Sequence, residues 1–584
     1  MRNKKTDGKY AILRHYKTTI TMSIKRSKSR TVRKFSCFMI GKGSLLIQCA
    51  QIVINEGHTL LGIISADDLV KNWASKNAIT CVNPSIALSL AREIPSFDYL
   101  FSIVNTDILN EQILKLPLRG SINYHDAPLP RYAGSYATSW AILNGEKKHG
   151  ITWHLMTGLV DSGDILKQEV FEVTENDTAF SLNLSCYEAA TKAFAALIHD
   201  LSAETALPQK QDLAKRTFFP QYQRPSSACI LSWTRSTSEI DALIRALDFG
   251  IYPNPLGVAK FAINNQFFIA SKAMPLRTPA TAAPGHITSF TKNSMTISVA
   301  DGEILLKEIL TLSGEPLTIS EMLNTFEIRP GYQLQEIHPS ILETIDEYAK
   351  STARYESFWV KRLSTLPTAS NPLQKKVTTP ASQNSYRVIP GIFIDEVDRF
   401  DKNVQSHFLI AALILYLGCK ERRWHLDTWY QHEDLLLLPD ILKQIFMPYV
   451  PLSIEVAPKS TIGDAICTIS EQIALTKKNK TFLRDVFARY PALRPLRSAM
   501  HEENSGRPLI VESSQSINTE AQTAFESSLR FVVGESLYTY RWEYNPELIH
   551  ENDVVTFEKS FSAFLKNLVI HQNKTLQELS LILL

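Results

Sequence analysis

The pattern of apolar and polar positions changes character along the chain. From residue 34, short β-branched or aromatic runs alternate with helical periodicity. KFSCFMIG (34–41) reads as a strand ended by glycine. In SLLIQCAQIVINEG (44–57), Leu45, Cys49 and Ile52, then Leu46 and Val53, recur at helical spacing, and TLLGIIS (59–65) is again a strand. Strand, helix and strand with short connections form a βαβ unit, which predicts a parallel sheet covered on both faces. YLFSIVN (99–105), a helical NEQILKL and GSINYH extend this α/β pattern to about residue 205.

Residues 202–225 are polar, carry three prolines and lack a clean period, as a linker does. SEIDALIRALDFG then predicts a helix with Ser238 as its cap. Short strand-like runs follow, from VAKFAI through EILLKEI, with Gly, Asn or Asp turns between them. They predict a small antiparallel β-barrel. A long amphipathic helix is expected over ETIDEYAKSTARYESFWVKRL. A Pro/Ser/Gln-rich spacer (367–385) separates it from a last mixed α and β region.

Composition narrows the function classes. Residues 1–34 hold 12 of the 62 Lys/Arg and one acid, Asp7, leaving 50 bases against 58 acids in the body. The body therefore lacks the charge excess of a nucleic-acid binder. The basic head reads as a solvated tail, with a polyanion-binding arm or an Arg-rich targeting segment as alternatives, and Met22 is a second candidate start. Seven scattered cysteines without a CxxC pair fit a reducing compartment rather than a zinc site or a disulfide framework. FLIAALILYLGC (408–419) is too short to span a bilayer and reads as a core helix. The GKGS loop (41–44) lacks the third glycine of a dinucleotide fingerprint, since position 46 is Leu46, so its glycines are expected to serve a tight turn.

The chemistry concentrates in INYHDAPLPRYAGSYATSWAILNGEKKHGITWHLMTGLVDSGDIL (122–166). Asn123 and His125, two apart near a strand end, share one face, and ligands of open α/β sheets bind at the carboxyl ends of strands. HGITWHLM reads as another strand whose following loop returns Asp161 to that end. An amide, an imidazole and a carboxylate suit acyl transfer to an amine, because the amine is itself the nucleophile and no Ser or Cys is needed.

These blocks resemble the 10-formyltetrahydrofolate-dependent formyltransferases, whose Asn-x-His-x-x-Leu-Leu-Pro-x-Tyr-x-Gly and Asp-Ser/Thr-Gly-Asp-Ile motifs they parallel, with Ala127-Pro128 as a departure. The resemblance implies a Rossmann-like catalytic domain (35–205), catalytic Asn123, His125 and Asp161, and no metal. It implies a folate pocket at Asp107, Ile108, Leu109, Met156 and Val160. Residues 206–225 would be a linker and 226–320 an OB-like barrel. IRALDFGIYPNPLG is similar to the version fused to nonribosomal peptide synthetases. Beyond a helical connector (321–370), residues 371–584 resemble an α+β, acetyltransferase-type condensation half-domain. It lacks the catalytic His pair, and His425, Asp427 and His432 read there as surface or packing residues. The expected reaction moves a formyl group from 10-formyltetrahydrofolate to a primary amine, an amino acid or carrier-bound aminoacyl group, in a cytoplasmic setting. A peptide synthetase subunit would dock through 340–584. Neither nucleic acid nor membrane is an expected partner. The alternatives are methionyl-tRNA, an amino-sugar nucleotide, or a noncatalytic scaffold.

Overall fold

Strand β1 (Ser36–Gly41) lies inside the first sheet, flanked in parallel by β2 (Thr59–Ile64) and β4 (Tyr99–Ile103), with β3 (Cys81–Val82) beyond β2 and β5 (Gly120–His125) beyond β4. The computed structural model describes residues 33–85, 96–366, 387–391, 407–497, 509–513, 529–534, 539–571 and 573–582. The basic head up to residue 32 and the spacer at 367–385 lie outside the described residues. The chain divides into two units. One comprises Met1–Ala133, Gly150–Phe171 and Ser185–Thr217, and the other Gly134–His149, Glu172–Leu184 and Phe218–Leu584.

In the first unit, α1 (Gly43–Asn55) buries Leu45, Leu46, Cys49, Ala50 and Val53; of the positions its periodicity marks, only Ile52 is partly rather than fully buried. The long helix α2 (Ala179–Ser202) adds Cys186, Ala190, Phe194 and Leu197 to the same core, against Met39, Phe101, Ile122, Tyr124 and Trp153. Ile40, Ile64, Phe97 and Leu100 cover the opposite face. Gly41 answers to a close approach, since a Cβ there would lie 1.8 Å from the Ile103 carbonyl oxygen. The start of α1 is occupied by Asp67, whose Oδ2 accepts from Gly43 N at 2.8 Å. The GKGS glycines thus serve the turn, and Asp67 already stands at the helix start where a phosphate would bind.

One expectation is corrected. The sheet is parallel only through β5. Strand β6 (Lys148–Leu155) runs antiparallel to β5, pairing Asn123 with His154 and His125 with Thr152, and β7 (Ile165–Glu172) lies beside β6 at the edge. The end of β6 therefore lies beside Ile122 near the start of β5, not beside its carboxyl end.

Buried His58 ties this core to α2. Phe35 N donates to His58 Nδ1 (3.3 Å), so Nε2 carries the hydrogen and donates to Ser202 Oγ (3.0 Å), while the ring stacks on Phe35 at 3.8 Å. Burial, and secondarily the Lys34 charge, lower its pKa from 6.5 to about 4. The unfolded chain takes up this proton from pH 6.5 downward, whereas the folded one resists to about 4. Stability is thus complete above the upper value and lost through that window, by up to ~3 kcal/mol. Thermal unfolding from neutral pH to pH ~4 should show this loss in the parent and a shallower one in His58→Gln; identical slopes would refute it.

Beyond residue 225 the first α-helix of the second unit is α3 (Thr237–Ala246). Its cap is Ser236 rather than Ser238, because Ser236 and Glu239 have the three-residue spacing of a capping box and bond reciprocally. The antiparallel sheet that follows has the order β8 (Lys260–Ile263), β9 (Gln266–Leu276), β12 (Glu303–Thr311), β11 (Met295–Ser298), β10 (Ile287–Phe290), with β13 (Pro316–Leu317) beside β12. It is a half-barrel rather than a closed barrel. Leu231 N bonds Lys260 O at 2.7 Å on one outer edge and Ile287 N bonds Tyr332 O at 2.9 Å on the other, so both edges are already paired.

The expected long helix is two helices, α4 (Pro339–Thr352) and α5 (Glu356–Thr365), separated by a tighter turn at Ala353–Tyr355. Thr352 Oγ1 bonds back to the Tyr348 and Ala349 carbonyls at 3.1 Å, a contact that bends helices. The apolar run at 408–419 forms α6 (Phe408–Glu421), buried from Phe408 to Cys419 against a six-stranded mixed sheet. Among the described residues no helix is long and apolar enough to cross a membrane. A further core joins Ala228, Ile230 and Phe267 to Ile345, Trp359, Phe446 and Phe482, so the half-barrel and the last region share packing.

Candidate active site

Period-2 alternation builds the site. On β5, Ile122 and Tyr124 enter the core, which turns Asn123 and His125 to the other face. On β6, Ile151 and Trp153 do the same, turning Thr152 and His154 to the face of their ladder partners. One sheet face thus carries His154 beside Asn123 and Thr152 beside His125. Ser102, the register partner of Asn123 on β4, extends the row, and its Oγ is buried without a hydrogen-bond partner among the described residues.

The nine residues between β6 and β7 fold back over this face and bring in Asp161. Its Oδ2 lies 3.6 Å from His125 Nδ1 and its Oδ1 3.5 Å from His154 Nε2, with all three side chains at most 9% exposed. One carboxylate therefore sits between two imidazoles, at ion-pair rather than hydrogen-bond distance. The loop is constrained at Gly163, where a Cβ would lie 1.8 Å from the Leu155 carbonyl oxygen. Asp161 itself is left-handed (φ 52°).

Hydrogen-bond partners set the ring orientations. A carbonyl only accepts, so His125 Nε2–H donates to Tyr132 O (2.8 Å) and Nδ1 is the nitrogen facing Asp161. Asp126 Oδ1 is 3.9 Å from that same nitrogen. His154 Nδ1–H donates to Leu155 O (2.8 Å), so Nε2 accepts from Asn123 Nδ2 (3.3 Å). One Asn123 amide hydrogen is thereby engaged and the second remains for another acceptor. Thr152 Oγ1 donates to Ala127 O (2.7 Å) and accepts from Leu129 N (3.2 Å), clamping the loop after His125.

The other expected residues flank this row. Asp107 and Ile108 are exposed, Ile108 at 86%. Asp107 N and O both bond the Asn105 side chain, at 3.2 and 3.0 Å. Leu109 packs on the cluster around Leu100. Met156 N donates to Ser121 O (2.8 Å), and Val160 is exposed, as is Leu159. The two flanking loops approach each other: a Cβ at Gly158 would lie 3.6 Å from Glu111 Oε1.

Sequence reasoning passed over His154 and Ser102. The alternation in ITWHL carried a signal for His154, since it sets Thr152 and His154 opposite Ile151 and Trp153. In the second unit, His425 and Asp427 approach to 3.3 Å, with the Asp427 side chain 4% exposed. His432 is buried, and that burial lowers its pKa to about 4.

A family profile described as formyl transferase matches residues 98–198, and one described as formyl transferase, C-terminal domain, matches 225–327. The chain is 30% identical over 316 residues to methionyl-tRNA formyltransferase of Clostridium beijerinckii, an alignment covering 51% of this chain and 98% of that protein. It is 25% identical over 293 residues to the Bacillus subtilis enzyme of the same name, covering 47% and 90%. A solved N-formyltransferase from Helicobacter canadensis, in complex with folinic acid and dTDP-3-aminofucose, is similar at 21% identity and a TM-score of 0.39, covering 46% of this chain and 98% of that one.

Proposed function

Because this chain belongs to the formyl transferase family and is a formyltransferase, we propose that its first unit moves a formyl group from 10-formyltetrahydrofolate to a primary amine. The observation that carries this reading is Asp161 bridging His125 and His154, with Asn123 on the same face. Ser102, Ile108 and Val160 would hold the folate, with Asp107, Leu109 and Met156 shaping the loops around it. When bound, the folate supplies an activated one-carbon acyl group.

Overall, a C–N bond forms to the amine, a C–N bond to the donor breaks, and the proton lost by the amine ends on the departing donor nitrogen. His125, facing Asp161, and the free amide hydrogen of Asn123 stabilise negative charge developing on the formyl oxygen. His125 Nδ1 is the atom placed to exchange the proton, because Nε2 is committed to Tyr132 O. His154 orients the Asn123 amide.

The acceptor in this reading is an amino acid or aminoacyl group presented on a carrier, with the condensation-like last region docking a peptide synthetase subunit in the cytoplasm. What supports it is the resemblance of IRALDFGIYPNPLG and of the last 200 residues to such assemblies, and the modest charge of 215–312, with 10 bases and 6 acids. The similarity to methionyl-tRNA formyltransferases favours a second reading, in which the amine is that of methionyl-tRNA. Mass spectrometry of amino acids, aminoacyl carriers, amino-sugar nucleotides and methionyl-tRNA incubated with the donor should find one product heavier by one formyl group, absent with Asp161→Asn. Steep salt dependence of the reaction would select tRNA. No formylated product across the panel would defeat the proposal.

A further inference from the structure

The segment after α2, which reads as a linker, is bonded to both sides of the site. Gln209 pairs with Ile165 through both backbone groups (2.7 and 2.8 Å) at the root of the Asp161 loop. Gln211 Nε2 donates to Asp161 O (2.9 Å) and Gly163 O (2.6 Å). Arg216 donates to Val160 O (3.0 Å). Thr217 Oγ1 accepts from Tyr132 N (2.7 Å), and Ala133 N donates to Thr217 O (3.0 Å). Tyr132 is the residue whose carbonyl holds His125.

Asp161 and Tyr132 are both left-handed, with φ of 52° and 58°. Non-glycine residues persist in that region only when their surroundings hold them. A single stretch of nine residues thus fastens the carbonyls beside the catalytic carboxylate and the peptide that anchors the catalytic imidazole. Its own shape is set locally, because Asp212 caps the turn at Leu213–Lys215.

We infer that residues 209–217 are a strap that positions the catalytic carboxylate against the catalytic imidazole, with Gln211 as a positioning residue acting on Asp161. This rests on the formyl-transfer reading for its kinetic consequence, not for its geometry. The amide orientation of Gln211 is unambiguous, because its oxygen would repel the two carbonyls its nitrogen serves. Gln211→Glu, which sets oxygen against both carbonyls, should therefore be at least as harmful as Gln211→Ala.

In the full chain, Gln211→Ala should lower kcat for formylation about 10–100-fold, the scale of a ~1 Å misplacement, with KM for the folate within about threefold. Thr217→Val should also lower kcat, and the double variant should lose less than the product of the two, since both act on one pair of groups. Crystal structures of the parent and Gln211→Ala should show the Asp161 carboxylate displaced from His125. A kcat within twofold of the parent, or an Asp161 carboxylate unmoved in the variant, overturns the strap. A parent that formylates no amine defeats the proposed reaction instead, and the two crystal structures still decide the positioning role.

Discussion

His125→Ala should lower kcat/KM for formyl transfer by about 10³-fold, within the range that a general acid–base group contributes, while leaving folate affinity within about threefold. The expectation follows from the placement of one nitrogen. Nε2 is committed to Tyr132 O, so Nδ1 is the nitrogen that faces Asp161 and, in the proposed reaction, the one left for the transferred proton. No neighbour replaces it, because His154 Nε2 is engaged with the Asn123 amide and its Nδ1 with Leu155 O. Steady-state kinetics, with calorimetric titration of a stable formylated folate, separate the two effects. Retention of more than a tenth of the parental kcat/KM would remove His125 from the chemistry.

Asp485→Ala should destabilise the second unit by about 3–5 kcal/mol, the cost of removing one partner from a buried ion pair. Asp485 Oδ2 bonds Lys260 Nζ at 2.6 Å and Oδ1 bonds Arg489 Nε at 2.7 Å, with all three side chains at most 1% exposed. Burial alone would raise its carboxyl, but Arg489 and Lys260 outweigh that and hold it below the ordinary range. The carboxylate therefore stabilises the fold above the unfolded pKa, and that contribution is lost as pH falls through the folded one. Arg489 also bonds Glu356 and the Asn254 carbonyl, so the network joins the half-barrel to the helices beyond residue 340. With alanine, Lys260 becomes a buried ammonium that keeps its bond to the Val258 carbonyl but loses the carboxylate that balances its charge. Denaturant unfolding of the full chain measures the loss, and a shift below ~1 kcal/mol would show the cluster to be solvated.

Much of the first unit was legible in the sequence, for a local reason. β1, α1 and β2 are marked by which side chains must be apolar within a few residues, and Leu45, Cys49 and Val53 bury where their spacing places them. Asn123 and His125 were legible because period 2 puts them on one face. The helix break at Thr352 and the capping serine at 236 depended on side-chain bonds that apolar periodicity does not register.

Alone, the amino-acid order determined the elements, the α/β character of the first unit, and the face of β5 that bears the amide and the imidazole. All of these follow from torsional periodicity over a few residues. The tertiary structure decided that β6 runs antiparallel, that His154 lies beside Asn123, that Asp161 returns over the sheet from the other end of β5, and that Gln211 holds it there. Strand direction and register are set by ladder pairings between residues about 30 positions apart. The free energy of such pairings depends on every neighbour that closes the loop between them, and no local pattern encodes it.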